Sequence, residues 1–193
     1  MRELIVDGYN VIHAWPDLAP LIKSGRGDEA RRQLIATLGE YAASSGDTVT
    51  VVFDAHGRAR DRGGGESIDG VTVIFGSSAQ TADHVIERRV AIAAGRGDAR
   101  FVTVATSDRL QRDMVMAMGG SVIGAAALLD QVRGVRAEQS DHNARRRREA
   151  RFANRLEDRI DPEVRRQLER LRRPPVTGTD ARDTSDADSS NET

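Results

Sequence analysis

Short, nearly uninterrupted apolar runs alternate along this chain with longer segments in which apolar residues recur every three or four positions. The runs lie at about residues 3–7, 48–53, 71–75, 101–105 and 121–123. Their length and β-branched content predict buried strands. The periodic segments lie at about 28–44, 81–95, 109–118 and 125–132 and predict helices. In the first helix Leu34, Ile35, Leu38 and Tyr41 share a face, and Asp28 and Glu29 stand near its start, where the helix dipole favours negative charge. Val85, Ile86, Val90 and Ile92 form the stripe of the second. Strands alternating with helices predict an α/β domain with a mostly parallel sheet covered on both faces.

Two stretches break this pattern. Residues 56–70 contain three consecutive glycines, Gly63 to Gly65, and are expected to form no regular element. They read as a loop carrying Arg58, Arg60 and Arg62, which can close over a nucleic-acid backbone. From about residue 136 the composition turns to Arg, Glu and Leu, with helix expected around Arg145 to Leu156 and again from Pro162 to Leu171, capped by Asp161. The final stretch, Pro174 to Thr193, is rich in Thr, Asp and Ser and is expected to be disordered. The organisation expected is thus a domain over 1–135, an arginine-rich helical extension over 136–173 and an acidic tail over 174–193.

Composition narrows the chemistry. With 193 residues and 38% hydrophobic content, one α/β domain with an extension is the natural reading. The absence of cysteine excludes disulfides, thiolate catalysis and sulfur-ligated zinc. No apolar stretch is long enough to span a bilayer and no secretory pattern opens the chain, so a soluble cytoplasmic protein without membrane partners is expected. The net charge of −1 conceals an asymmetry: residues 1–132 sum to −3, 133–173 to +6 and 174–193 to −4. An acidic core beside a basic arm suggests a cation in the first and a polyanion on the second, with Arg145, Arg146, Arg147 and Arg148 as the densest contact points.

The acidic residues with the most informative positions are Asp7, Asp54, Asp83 and Asp108. Three follow strand-like runs and Asp83 opens a helix. The carboxyl ends of parallel strands share one rim, so acids distant in sequence can meet there. Converging carboxylates repel one another unless a cation sits among them, and hard oxygen ligands suit Mg²⁺ or Mn²⁺. Singly, each also fits a cap or a turn; the four together point to metal-dependent phosphodiester cleavage.

The words around these acids are Leu4-Ile5-Val6-Asp7-Gly8-Tyr9-Asn10-Val11-Ile12, Val51-Val52-Phe53-Asp54-Ala55, Thr81-Ala82-Asp83-His84-Val85-Ile86-Glu87 and Val104-Ala105-Thr106-Ser107-Asp108. In that order, over roughly residues 1–132, they closely resemble the NYN-domain, YacP-like branch of the PIN-like ribonucleases. The resemblance implies a three-layer α/β/α domain and Mg²⁺- or Mn²⁺-dependent endoribonuclease activity, with ribosome-associated cleavage of messenger RNA known for a relative. It assigns metal binding to Asp7, Asp83 and Asp108, and gives Asn10 the task of orienting a carboxylate, a water or a phosphate. Asp54 either binds the ion or supports a residue that does. Thr106 and Ser107 are candidates to hydrogen-bond phosphate or Asp108, and Glu87 either extends the acidic site or pairs with an arginine. The stretch Phe75 to Gln80 lacks the charged residues that the family often carries there.

Three competing readings are weaker. A haloacid-dehalogenase-like phosphatase wants an aspartate at position 9, which is Tyr9, and a receiver domain wants a late lysine, whereas Lys23 is the chain's only one. Catalysis by a histidine pair finds only His84 within the four words, with His13 and His56 nearby. The alternative from a different class is an RNA- or ribosome-binding adaptor whose acids are structural or weakly active.

Overall fold

A computed structural model of the chain describes residues 2–54, 65–77 and 80–159, together with Val164. The chain divides into two units, Met1–Ala144 and Arg145–Thr193. In the described residues of the first, the elements run β1 (Glu3–Asp7), α1 (Gly8–Ala14), α2 (Ala19–Lys23), α3 (Gly27–Ser45), β2 (Thr48–Phe53), β3 (Glu66–Ile68) and β4 (Val71–Phe75). They continue through α4 (Ala82–Gly95), a 3₁₀ turn at Ala99–Phe101, β5 (Val102–Ala105), α5 (Arg109–Ala117), β6 (Ser121–Ile123) and α6 (Ala125–Arg159), the last passing into the second unit.

The strands form one sheet in the order β3-β4-β2-β1-β5-β6. All pairings are parallel except that of β3 with β4. Along β1 the side chains alternate between two cores: Leu4 and Val6 join one with Leu34, Leu38 and Leu128, while Ile5 joins the other with Ile86, Val90 and Val115. A strand buried on both faces and covered by helices on each makes the domain three-layered, as the alternation of elements predicts. The chain steps from β1 to β2 and then β4, and returns to the other side of β1 for β5 and β6. The order therefore reverses beside β1, and such a switch point leaves a crevice at the carboxyl ends of the strands.

Two close contacts set the rim. A side chain at Gly8 would collide with the Phe53 ring, so α1 lies directly against the end of β2. The Trp15 indole N–H donates to the Ala125 carbonyl at 2.9 Å and joins the end of α1 to the start of α6.

The fold departs from the sequence expectation in three places. The pattern of residues 56–70 predicts no regular element, yet Glu66–Ile68 forms β3, turned onto β4 by Asp69 and Gly70 at φ 50° and 78°. Two consecutive positive φ values are the geometry of a two-residue hairpin turn, which Asp-Gly favours. Helices α1 and α2 are additional. Helix α6 runs on from residue 132 to Arg159 without the interruption expected between 132 and 145. The helix expected from Pro162 to Leu171, its cap Asp161 and the tail from Pro174 lie outside the described residues. No helix among the described residues is long and apolar enough to cross a membrane.

Candidate metal and phosphodiester site

Each of the four aspartates sits where a strand ends or a helix begins, and each carboxylate holds an N–H. Asp7 ends β1 and caps α1, one oxygen accepting from the Asn10 backbone N–H at 3.1 Å. Asp54 follows β2 and accepts from the Ala82 N–H, at the first residue of α4, at 2.6 Å. Asp83 is the next residue of α4, and Asp108 caps α5 by accepting from the Gln111 N–H at 2.9 Å. The cap chemistry that would explain Asp7 and Asp108 singly is therefore real, and it occupies one oxygen of each. Among the described residues the second oxygen of each of the four acids has no hydrogen-bond partner.

Electrostatics shows that the acids act on one another. The Asp7 carboxyl is pushed up to about 6, chiefly by burial, opposed by the Asn10 N–H and then raised further by Asp83, Asp54 and Asp108. Asp83 is also raised, first by partial burial and then by Asp54 and Asp108, with His84 opposing them. Elsewhere acids find arginines, as in Arg89 with Glu3 at 2.8 Å and Arg136 with Glu40 at 2.6 Å. Among the described residues none of the four rim aspartates has a basic ion-pair partner.

The supporting residues order two loops. Asn10 Oδ1 accepts from the Ser107 N–H at 3.0 Å, which ties the turn after β1 to the loop after β5. Thr106 is fully buried, and its hydroxyl accepts from the Asp108 N–H at 3.1 Å. Thr106 thus shapes the loop from within, while Ser107 is exposed at the rim. Glu87 is exposed one turn beyond Asp83, beside His84 and Arg88. His13 is exposed at the end of α1, and His84 Nδ1 lies 3.1 Å from the Thr81 hydroxyl oxygen.

One residue in the site carries no signal in the sequence. Gln111 is 5% exposed; its backbone N–H serves Asp108 and its Nε2 donates to Asp83 at 2.8 Å. It joins two acids that the sequence separates by 25 positions. Among the described residues its buried Oε1 has no hydrogen-bond partner. Arg58, Arg60, Arg62 and His56 lie outside the described residues. Arg145 to Arg148 belong to the second unit, as exposed consecutive residues of α6.

The donor set fits a hard divalent cation in its chemistry: coupled carboxylates, each with an oxygen to spare. Among the described residues no three acidic or histidine side chains converge closely enough to form a complete ligand cluster. Mg²⁺ is commonly held by one or two carboxylates and keeps several waters, so it does not require one. Cavities of about 470 and 730 Å³ lie instead at the opposite ends of the strands, around Arg89 and around Tyr41. Arg89 is committed there to Glu3, so these cavities are separate from the acids.

Known proteins resemble this chain in sequence and in fold. A family model described as YacP-like NYN domain matches residues 4–173. A Bacillus subtilis (strain 168) protein described as uncharacterized protein YacP is 38% identical over 132 residues, covering 68% of this chain and 75% of that protein. The crystal structure of Rae1 (YacP) from Bacillus subtilis is similar with a TM-score of 0.62 and 32% identity, covering 89% of this chain and 95% of the other. The crystal structure of a point mutant of the same Bacillus subtilis protein gives a TM-score of 0.64 and 30% identity, covering 89% and 99%.

Proposed function

The chain belongs to the YacP-like NYN domain family, within the PIN-like nucleases, and from that membership we propose that it is an endoribonuclease that hydrolyses RNA phosphodiester bonds with Mg²⁺ or Mn²⁺. The observation that carries this reading is the gathering of four aspartates at the carboxyl ends of the strands, where Asp83, Asp54 and Asp108 all act on Asp7 and none of the four has an ion-pair partner among the described residues.

Asp7, Asp83 and Asp108 would hold the cation, one or two of them directly and the rest through its waters, with Asp54 as a fourth acid that also fixes α4 through Ala82. When bound, the cation supplies a Lewis acid that lowers the pKa of water and offsets charge on the phosphate oxygens. The chain's own residues set the geometry. Gln111 holds Asp83 and Asp108 in fixed relation, and Asn10 holds the Ser107 loop against the Asp7 turn. The exposed Ser107 hydroxyl is proposed to donate to a phosphate oxygen. Arg58 and Arg60 are proposed to contact the RNA backbone, as are Arg145 to Arg148, and the ribosome is a candidate platform for messenger RNA cleavage.

The test is cleavage of a circular, mostly unpaired RNA by the full-length protein in Mn²⁺, in Mg²⁺ and in EDTA. Linearisation that needs the cation supports the reading, because a circle has no end for an exonuclease. A second reading, an RNA- or ribosome-binding adaptor, is favoured by the exposed arginines of α6. It predicts RNA association without linearisation in any of the three conditions, including on translating ribosomes.

A further inference from the structure

We propose that Phe75 is a platform on which an unpaired base of the RNA stacks beside the acidic rim, so that the site takes single-stranded rather than duplex RNA. This deepens the nuclease reading above and rests on it. Phe75 is the last residue of β4 and pairs in parallel register with Phe53, the residue before Asp54. One strand spacing across and one residue along place its Cα roughly 6 Å from that of Asp54, about the length of one nucleotide.

The ring is held in a defined plane. Phe53 is fully buried, and Phe75 stacks on it with centroids 5.6 Å apart and planes 24° apart. Tyr9 meets Phe53 edge-on at 5.5 Å and 72°, which fixes Phe53 from the α1 side. The Gly76 N–H donates to the Phe53 carbonyl at 2.7 Å and pins the backbone that carries Phe75. Phe75 nevertheless stays 44% exposed, and that exposed area cannot be the face against Phe53. A preoriented aromatic ring with free area beside a phosphodiester site suits a nucleobase, which stacks without regard to sequence. Bases within a duplex are already stacked and paired, so the platform discriminates against them.

A matched comparison exists in the same molecule. Phe101 is 42% exposed, but it precedes β5 and so lies at the opposite edge of the sheet, with the Arg100 guanidinium 4.7 Å from its ring centroid. Exposure of a phenylalanine is common to both positions; nearness to the acids belongs to Phe75 alone of the two.

The experiment uses the full-length protein. Trp15 is the chain's one tryptophan and is buried, so Phe75→Trp adds a separable fluorescent reporter. In an Asp83→Asn background with Mg²⁺, a short single-stranded RNA should quench emission from the introduced indole, and the duplex of the same sequence should not. In cleavage assays Phe75→Ala and Phe75→Leu should raise KM for single-stranded RNA by about ten- to a hundredfold, with little change in kcat. Phe101→Ala should stay near the wild type, and Phe75→Leu keeps the bulk that folding needs. Binding of labelled RNA without a change in the reporter's emission, or a wild-type KM in Phe75→Leu, overturns the platform while wild-type cleavage leaves the nuclease reading intact. Quenching of the reporter in a protein whose wild type cleaves RNA in neither Mg²⁺ nor Mn²⁺ has the reverse effect, supporting the platform and removing the nuclease reading.

Discussion

Gln111 holds Asp83 by a hydrogen bond of 2.8 Å from its buried side-chain amide, while its backbone N–H caps the helix through Asp108. Among the described residues the amide oxygen has no hydrogen-bond partner, and a buried group so left costs about 1–3 kcal/mol. Gln111→Leu removes both the orphan oxygen and the hold on Asp83. It is therefore expected to leave folding stability unchanged or slightly higher, while lowering kcat for RNA cleavage about ten- to a hundredfold. Urea denaturation beside single-turnover cleavage checks this; equal losses in both would make Gln111 a packing residue only.

Asn10 and Ser107 are the second link across the rim, joined at 3.0 Å over 97 positions. Asn10→Ala frees the Ser107 loop. Because the loop is exposed, the expected cost in stability is small, about 0.5–1.5 kcal/mol. Activity should fall further than that, about tenfold or more, since Asp108 follows Ser107 directly. A loss of activity no larger than the loss of stability implies would contradict this role.

The Asp7 carboxyl is pushed up to about 6 from 3.8. A group whose pKa is higher in the folded chain favours folding in its protonated form. That contribution is complete below the unfolded value and disappears as the pH rises through about 6. In EDTA this group alone should cost up to about 3 kcal/mol between the two limits. Asp7→Asn should flatten that part of the stability profile, unfold at higher urea than the wild type near neutral pH, and lose cleavage. Parallel profiles for wild type and variant would contradict the burial and repulsion assigned to Asp7.

Arg145 to Arg148 lie in an unbroken helix that begins at Ala125, and Leu128 and Val132 of that helix are core residues. Substitution is therefore a cleaner test than truncation. Replacing all four arginines by Gln should weaken RNA association and reduce the slope of log K against log salt by up to about 3, on a single-strand value near 0.7 per phosphate contact. Slow cleavage of a short RNA should persist. An unchanged salt slope would remove these arginines from the RNA interface.

Much of this site is legible in the sequence because strands and acids leave local marks. Asp7, Asp54 and Asp108 follow buried β-branched runs, and parallel strands bring such ends to one edge whatever the intervening chain does. What escaped depends on short elements or on distance. Helices α1 and α2 have seven and five residues, too few to display a helical period. Strand β3 was hidden behind Gly63 to Gly65, although Asp69-Gly70 was its own turn signal. The apolar period of α6 stops after Val132 because residues 133–149 are exposed, apart from half-buried Val135, and need no buried stripe. Gln111 looks like any polar residue of an amphipathic helix until the fold sets α5 beside α4.

The most direct test of the central claim compares wild type with Asp83→Asn, each with Mn²⁺, on one labelled single-stranded RNA, recording cleavage and association together. Asp83 is exposed, and Asn in its place keeps an oxygen to accept from the Gln111 amide while removing one rim charge. Cleavage by the wild type, lost by a factor of at least about a hundred in Asp83→Asn with association retained, is the predicted result. Equal cleavage by both proteins would show that the acidic rim is not the catalytic site.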